Sequence, residues 1–200
     1  MEFLPIEIDG EHVYAGVGRR IAAYVLDGLL FMPLLALQLW MQRLTSVSAA
    51  VGLALFFVIA VAYRVAFPAM MGATPGKLVV DIRITKPNGD PIGWREALKR
   101  ESVGIALGAI LMLGALAALW NIAPSEYAAL TSNAARSALR TANQAWWYPM
   151  ALRAATAWMW TDSGALLFNT RRRALHDFIA GTIVVHVRFA EQSHRADGGR

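Results

Sequence analysis

The stretch VSAAVGLALFFVIAVAYRVAF, residues 47–67, carries one charge, Arg64, and is otherwise almost wholly apolar. A surface helix of a soluble protein would repeat polar residues along one face, and this stretch has no such face. The hydrocarbon core of a bilayer takes roughly 20 mostly apolar residues as helix. The segment therefore reads as a membrane span, and its neighbours extend the pattern. Upstream, IAAYVLDGLLFMPLLALQLWM covers 21–41; downstream, SVGIALGAILMLGALAALW covers 102–120 without a charge. A fourth segment, WWYPMALRAATAWMWTDSGALLF at 146–168, is interrupted by Arg153 and Asp162.

Composition agrees. The chain of 200 residues is 56% hydrophobic and 16% charged, with a mean hydropathy of +0.41. A soluble domain is nearer one-quarter charged. The absence of cysteine removes disulfides, thiolate metal sites and cysteine nucleophiles. The four histidines, His12, His176, His186 and His194, show no zinc-protease spacing. A net charge of +5 would suit nucleic acid, but the basic residues border the apolar runs, which is a membrane pattern, and no nucleic acid is expected.

The first eleven residues contain Glu2, Glu7, Asp9 and Glu11, where a cleavable signal would be basic. Arg19 and Arg20 precede the first span. Lys77, Arg83, Lys86, Arg95, Lys99 and Arg100 fill the 68–101 loop, and Arg171, Arg172 and Arg173 follow the fourth span. The opposite side holds only Arg43, Arg136 and Arg140. The positive-inside bias places both termini and the 68–101 loop in the cytoplasm of a multi-pass inner (plasma) membrane protein. Trp40, Trp120, Trp146 and Trp147 fall at the outer boundary, where aromatic belts anchor helices.

MGATPGK at 71–77 has the look of a phosphate-binding loop. Only three residues separate Gly72 from Gly76, however, and Leu78 follows Lys77 where a Ser or Thr is needed. Pro75 and Gly76 stop the second span instead, and Lys77 anchors it at the headgroups. LVVDIRIT at 78–85 alternates like a half-buried strand, and Asn88-Gly89 reads as a positive-φ turn pair. GWREALKRE at 93–101 forms an amphipathic helix leading into the third span, with Trp94, Ala97 and Leu98 on one face. GTIVVHVR at 181–188 alternates again, so the two strands are expected to pair. The segment 121–145 reads as an external helix near the interface. Residues 188–200 read as a disordered tail.

Charges inside a span are disfavoured by roughly 2.5–3.5 kcal/mol each on insertion scales. Asp27 lies on the Arg20 face of the first helix, Asp162 comes out near its depth, and Arg64 is somewhat shallower. These positions predict a polar cluster of Asp27, Arg64 and Asp162. It serves either as a cation or proton site, since desolvation raises a carboxyl toward neutral pH, or as charge neutralisation that sets helix register. Gly104 and Gly108 form a GxxxG in the third span, which marks a close contact within the chain or in a homo-oligomer. In RRRALHDFIAGT, 171–182, the arginines are expected to meet anionic headgroups. Leu175, Phe178 and Ile179 form an apolar face. His176-Asp177 lacks the further ligands of a metal centre, so Asp177 is expected to pair with an arginine or cap backbone donors. No metal, cofactor or assembled nucleophile is expected, and the chain does not read as an enzyme.

GRRIAAYVLDGLLF at 18–31, ATPGKLVVDIRIT at 73–85 and RRRALHDFIAGTIVV at 171–185 together resemble the RDD family of membrane proteins. The first-helix pattern R-x-x-A-x-x-x-D falls on Arg20, Ala23 and Asp27. TPGK falls on Thr74, Pro75, Gly76 and Lys77. The closing element falls on His176, Asp177, Ala180, Gly181, Thr182 and Val184. The resemblance implies that Arg20, Asp27 and Asp177 are the family's signature residues and that 18–187 is the family domain, after a cytoplasmic segment at 1–17. The segment 121–145 stands as an insertion, and Asp162 maps onto no signature position. The expected fold is an all-α membrane protein of about four transmembrane helices with a small cytoplasmic β element. Two functions follow. One is monovalent cation–proton exchange, implied by the resemblance, with Asp27 alternating between proton and cation. The other is a non-transporting adaptor or assembly factor in which the Arg and Asp residues are structural.

Overall fold

Helix-forming Ala, Leu, Met and Val dominate the apolar runs, and a computed structural model describing residues 3–8 and 10–190 folds them into long helices. Helix α1 spans Val17–Met41, and after a two-residue β1 (Glu7–Ile8) and β2 (Glu11–His12) it is the first long element. Helix α2 spans Ser46–Met71 and helix α4 spans Trp94–Trp120, with a short helix α3, Pro75–Val79, and strand β3, Ile82–Thr85, between them. These three long helices have 25, 26 and 27 residues and are long and apolar enough to cross a membrane. At 1.5 Å per residue each exceeds about 37 Å, more than a hydrocarbon core requires. Apolar side chains along them point outward, Leu29, Leu30, Val47, Val58 and Leu113 among them, as lipid-facing residues do.

The fourth expected span is shorter. Helix α7 runs Tyr148–Gly164, 17 residues, and passes into a 3₁₀ turn at Ala165–Leu167. About 25 Å of helix falls short of the hydrocarbon thickness. Gly164 is still in the right-handed helical region, and from there the chain tightens into the 3₁₀ turn. The 121–145 segment is two helices, α5 (Pro124–Ala129) and α6 (Asn133–Ala142). The break has a local cause: Ser132 caps α6 by accepting the Ala135 amide at 3.1 Å.

Two units make up the chain: Met1–Leu30, Ala62–Val103 and Trp158–Arg200 form one, and Phe31–Val61 with Gly104–Ala157 form the other. In the second unit, Ala49, Leu119, Ile122 and Tyr127 build a core, with the Tyr127 hydroxyl donating to the Gln42 carbonyl at 2.8 Å. A Cβ on Gly108 would lie 2.9 Å from the Phe57 ring, and one on Gly114 would meet Tyr148 and Trp147. Gly108 and Gly114 thus serve contacts inside the chain.

The first unit holds the polar motifs. Helix α8, Leu175–Ala180, leads to strand β4, Ile183–His186, which pairs antiparallel with β3 in the register Ile82 to His186 through Thr85 to Ile183. The expected strand pairing is present, but it is shorter than the alternation suggested. Pro75 at the first helical position starts α3, so 78–79 are helical, and Asp81 at φ 56° turns the chain into β3. Of the 88–89 pair only Gly89 takes positive φ; Asn88 instead donates to Asp90. Residues 13–15 line the free edge of β4: the Ala15 amide donates to Val184 and the His186 amide to Val13. Val13, Tyr14, Ile183, Val185, Phe189 and Ala190 form a buried cluster. Phe189 and Ala190 are therefore core residues and not part of a tail; residues 191–200 lie outside the described residues.

Candidate functional site

Two carboxylates organise the polar motifs of the first unit, and each is reached from several elements. Asp27 lies on α1 one turn beyond Ala23. Its Oδ1 accepts the Tyr63 hydroxyl at 2.5 Å and the Gly76 amide at 2.7 Å, while Oδ2 accepts the Thr74 hydroxyl at 2.7 Å. The carboxylate closes the first turn of α3, where unpaired amides favour negative charge. Such an approach requires a missing side chain. A Cβ on Gly76 would lie 2.4 Å from the Ala23 carbonyl and 2.5 Å from the Asp27 carboxylate. Ala23 itself is fully buried. The spacing of Arg20, Ala23 and Asp27 therefore has a direct physical meaning: a small residue receives the Pro-Gly turn and an acid one turn further on binds it.

Lys77 follows on α3 with its ammonium 5.9 Å from the Tyr24 ring centroid. Burial, reinforced by the Arg100 guanidinium, pushes the Lys77 ammonium down to about 7, against the pull of Glu101 and Asp27. Lys77 is thus half-buried, with its ammonium near the Tyr24 ring of α1.

Asp177, fully buried, is the second centre. Its Oδ2 accepts Arg20 Nη1 at 3.1 Å and the Ala174 amide at 3.0 Å. Its Oδ1 accepts Arg100 Nη1, in a short contact, and the Thr182 hydroxyl at 3.1 Å. The Ala174 bond places Asp177 as the third residue of α8, reaching back to the N-cap amide. Gly181 ends α8 in the left-handed region at φ 68°, and the Thr182 amide returns to the Asp177 carbonyl at 2.9 Å. Arg173 binds the Asp177 and Thr182 carbonyls at 2.9 and 3.1 Å. Burial alone would raise the Asp177 carboxyl, but Arg100, His176 and Arg20 hold it well below the usual carboxylate range.

Beside it, His176 and Asp162 form a second buried pair. The His176 amide donates to Asp162 Oδ1 at 2.8 Å, and His176 Nδ1 lies 2.6 Å from Oδ2. Burial and the Arg100 guanidinium push the His176 imidazole below its ordinary 6.5, against the pull of Asp177 and Asp162. Nε2 has no hydrogen-bond partner among the described residues and lies 3.7 Å from Asp177 Oδ1.

These contacts correct the expected cluster of Asp27, Arg64 and Asp162. Arg64 is largely exposed and pairs with Glu101 at 3.3 Å. One helical step separates it from Tyr63, so when Tyr63 faces Asp27 the arginine points elsewhere. Asp162 is held by the amide and ring of His176. Nor do Arg171, Arg172 and Arg173 form one headgroup-facing row, since Arg173 is buried. Tyr63 and Arg100 are the members that sequence reading missed. Arg100 sits in the last charged run before the uncharged 102–120 segment, where the positive-inside bias already accounts for a cation, so no local signal pointed to its acid partner. Among the described residues, no group of three His, Asp or Glu side chains is placed to hold a metal ion.

A family model described as RDD family matches residues 14–181, a range that contains Arg20, Asp27, the TPGK turn, Arg100 and Asp177. The chain belongs to the RDD family. Its match and its three apolar helices make it a membrane protein. No curated protein and no solved structure matches it. In this RDD protein Arg20, Asp27 and Asp177, the expected signature residues, form two latches. Arg20 and Asp177 meet each other, and Asp27 clamps the TPGK turn.

Proposed function

We propose that this RDD protein is a non-enzymatic membrane adaptor whose signature residues are structural and whose β3–β4 face, on the cytoplasmic side by the positive-inside bias, receives a protein partner. The observation that carries this reading is the occupancy of Asp27: both oxygens accept neutral donors from α2 and from the TPGK segment. A carboxylate that exchanges a proton for a cation would have to release these clamps in each cycle. Asp177 is likewise engaged by two arginines, a hydroxyl and an amide. A cleft of about 420 Å³ at the end of β4, lined by Arg19, Asp81, His186, Val187 and Arg188, supplies a recognition surface of mixed charge.

One observation favours the second reading, cation–proton exchange. Lys77, one residue from the Asp27 ligand Gly76, is pushed down to about 7, so a titratable group stands beside Asp27 at physiological pH.

Proton efflux from proteoliposomes on adding Na⁺, K⁺ or Li⁺ separates the two. The adaptor reading expects no cation-dependent efflux from wild type and a lower melting temperature for Asp27→Asn. Exchange by wild type that vanishes in folded Asp27→Asn overturns it and establishes transport.

A further inference from the structure

A second cleft, of about 380 Å³, lies within the first unit, away from both carboxylate latches. Its walls carry Lys86 from the turn after β3, Arg95 and Lys99 from the first turns of α4, and Ala180 and Gly181 from the end of α8. Arg95 and Lys99 are four residues apart and so share a helix face. The turn fixes Lys86 at its backbone: its amide donates to the Asp90 carbonyl at 2.8 Å, and its carbonyl accepts the Gly89 amide at 3.0 Å. One carboxylate, Glu96, also lines the cleft, but its Oε2 is turned to the Gly93 amide at 2.9 Å. No ion pair among the described residues involves Lys86, Arg95 or Lys99. The latches consume Arg20 and Arg100; of these three cations, Lys86 and Arg95 lie close enough to Glu96 to join the Gly93 amide in holding its carboxyl low, one negative charge against three positive.

The surroundings name the source of the anion. Trp94 and Leu98 flank the two basic residues on α4, and Phe178 and Ile179 precede the two small residues on α8; all four apolar side chains are about half exposed. The uncharged run 102–120 begins three residues after Lys99, about 4.5 Å along the helix axis. The cleft is therefore at the depth where a helix leaves hydrocarbon for headgroups. Lysine supplies compact positive charge and arginine a planar fork, the pair of donors that phosphate oxygens accept. Exposed apolar side chains beside them match acyl chains, which a free anion in solution does not carry.

We infer that the Lys86–Arg95–Lys99 cleft binds the phosphate of an anionic phospholipid headgroup at the membrane surface. The small Ala180 and Gly181 leave room for the headgroup, and Trp94 and Phe178 sit beside its acyl chains.

Native mass spectrometry of the full chain, equilibrated in mixed micelles of equal phosphatidylglycerol and phosphatidylcholine, tests this directly. Wild type is expected to retain phosphatidylglycerol about tenfold over phosphatidylcholine, and Lys86→Gln/Arg95→Gln/Lys99→Gln to lose that preference. Arg95→Gln alone should lower it about fivefold, and Lys86→Arg/Lys99→Arg should keep it. The single variant and the charge-keeping variant decide the matter if the triple variant does not fold. Equal retention of the two lipids by wild type, or an unchanged preference in Arg95→Gln, overturns the inference. Displacement of the bound lipid by millimolar inorganic phosphate overturns the lipid as source and assigns the cleft to a soluble phosphate.

Discussion

Asp177 has four donors, two of them arginines, and no exposed surface. Removing its charge leaves Arg20 and Arg100 buried and unneutralised, which typically destabilises by about 3–5 kcal/mol. Asp177→Asn is expected to lose stability on that scale, read as thermal melting in detergent, and a melting temperature equal to wild type would contradict the latch. Gly76 makes the matching steric case. Alanine there places a methyl 2.4 Å from a backbone carbonyl, so Gly76→Ala should lose about 1–3 kcal/mol by forced displacement of α3 from α1. Neither effect depends on any transported ion. Sequence reading expected Asp177 as a signature position and Gly76 as part of the TPGK element through the family resemblance, yet the partner Arg100 stayed hidden. It lies 77 residues from Asp177 in the chain, and nothing local marks the pairing.

At the scale of elements, α8 is a six-residue helix with little stability of its own, since short helices are marginal without tertiary support. Its ends compensate. Asp177 caps the start, Gly181 closes the end, and Thr182 carries the chain into β4 while sharing its hydroxyl with Asp177 and Arg100. Gly181→Ala has open space around its Cβ but must hold φ 68°, a conformation that disfavours an L side chain by roughly 1–2 kcal/mol. A melt of that variant should show a loss of this size; no loss would mean that the left-handed cap is dispensable. The long helices were legible from hydropathy alone because each crosses enough apolar sequence to leave no other reading. Helix α3 was not. Residues 75–79 overlap an alternating pattern that continues into β3, and Pro75 at the first helical position, with Gly76 docked on α1, decides for helix.

For the molecule as a whole, two of the buried titratable groups, His176 and Asp177, bias stability in the same direction. His176, held below its ordinary 6.5, binds fewer protons folded than unfolded, so the stability it confers is complete above pH 6.5 and declines as pH falls below that value. Asp177, held below its ordinary 3.8, adds stability that is present above pH 3.8 and lost on further acidification. Melting temperature should therefore fall from pH 7 downward, first through His176 and then through Asp177. His176→Gln is expected to flatten the portion of the curve just below pH 6.5 and leave the acid limb. A wild-type melting temperature constant from pH 7 to 5 would remove the imidazole from this account.

The sequence by itself determined the class of solvent, three helices long enough to cross it, the existence of a paired strand element and the family. Each of these depends on properties that accumulate along a continuous stretch: apolar length, alternation, motif order. Tertiary structure alone decided which charges meet. Arg20 takes Asp177 and not Asp27; Asp27 takes Tyr63, Thr74 and Gly76; Asp162 takes His176; Arg64 turns to Glu101. Depth along a helix can be counted from residue numbers. Partnership depends on rotation about the helix axis and on the close approach that Ala23 and Gly76 permit, and those are set by packing.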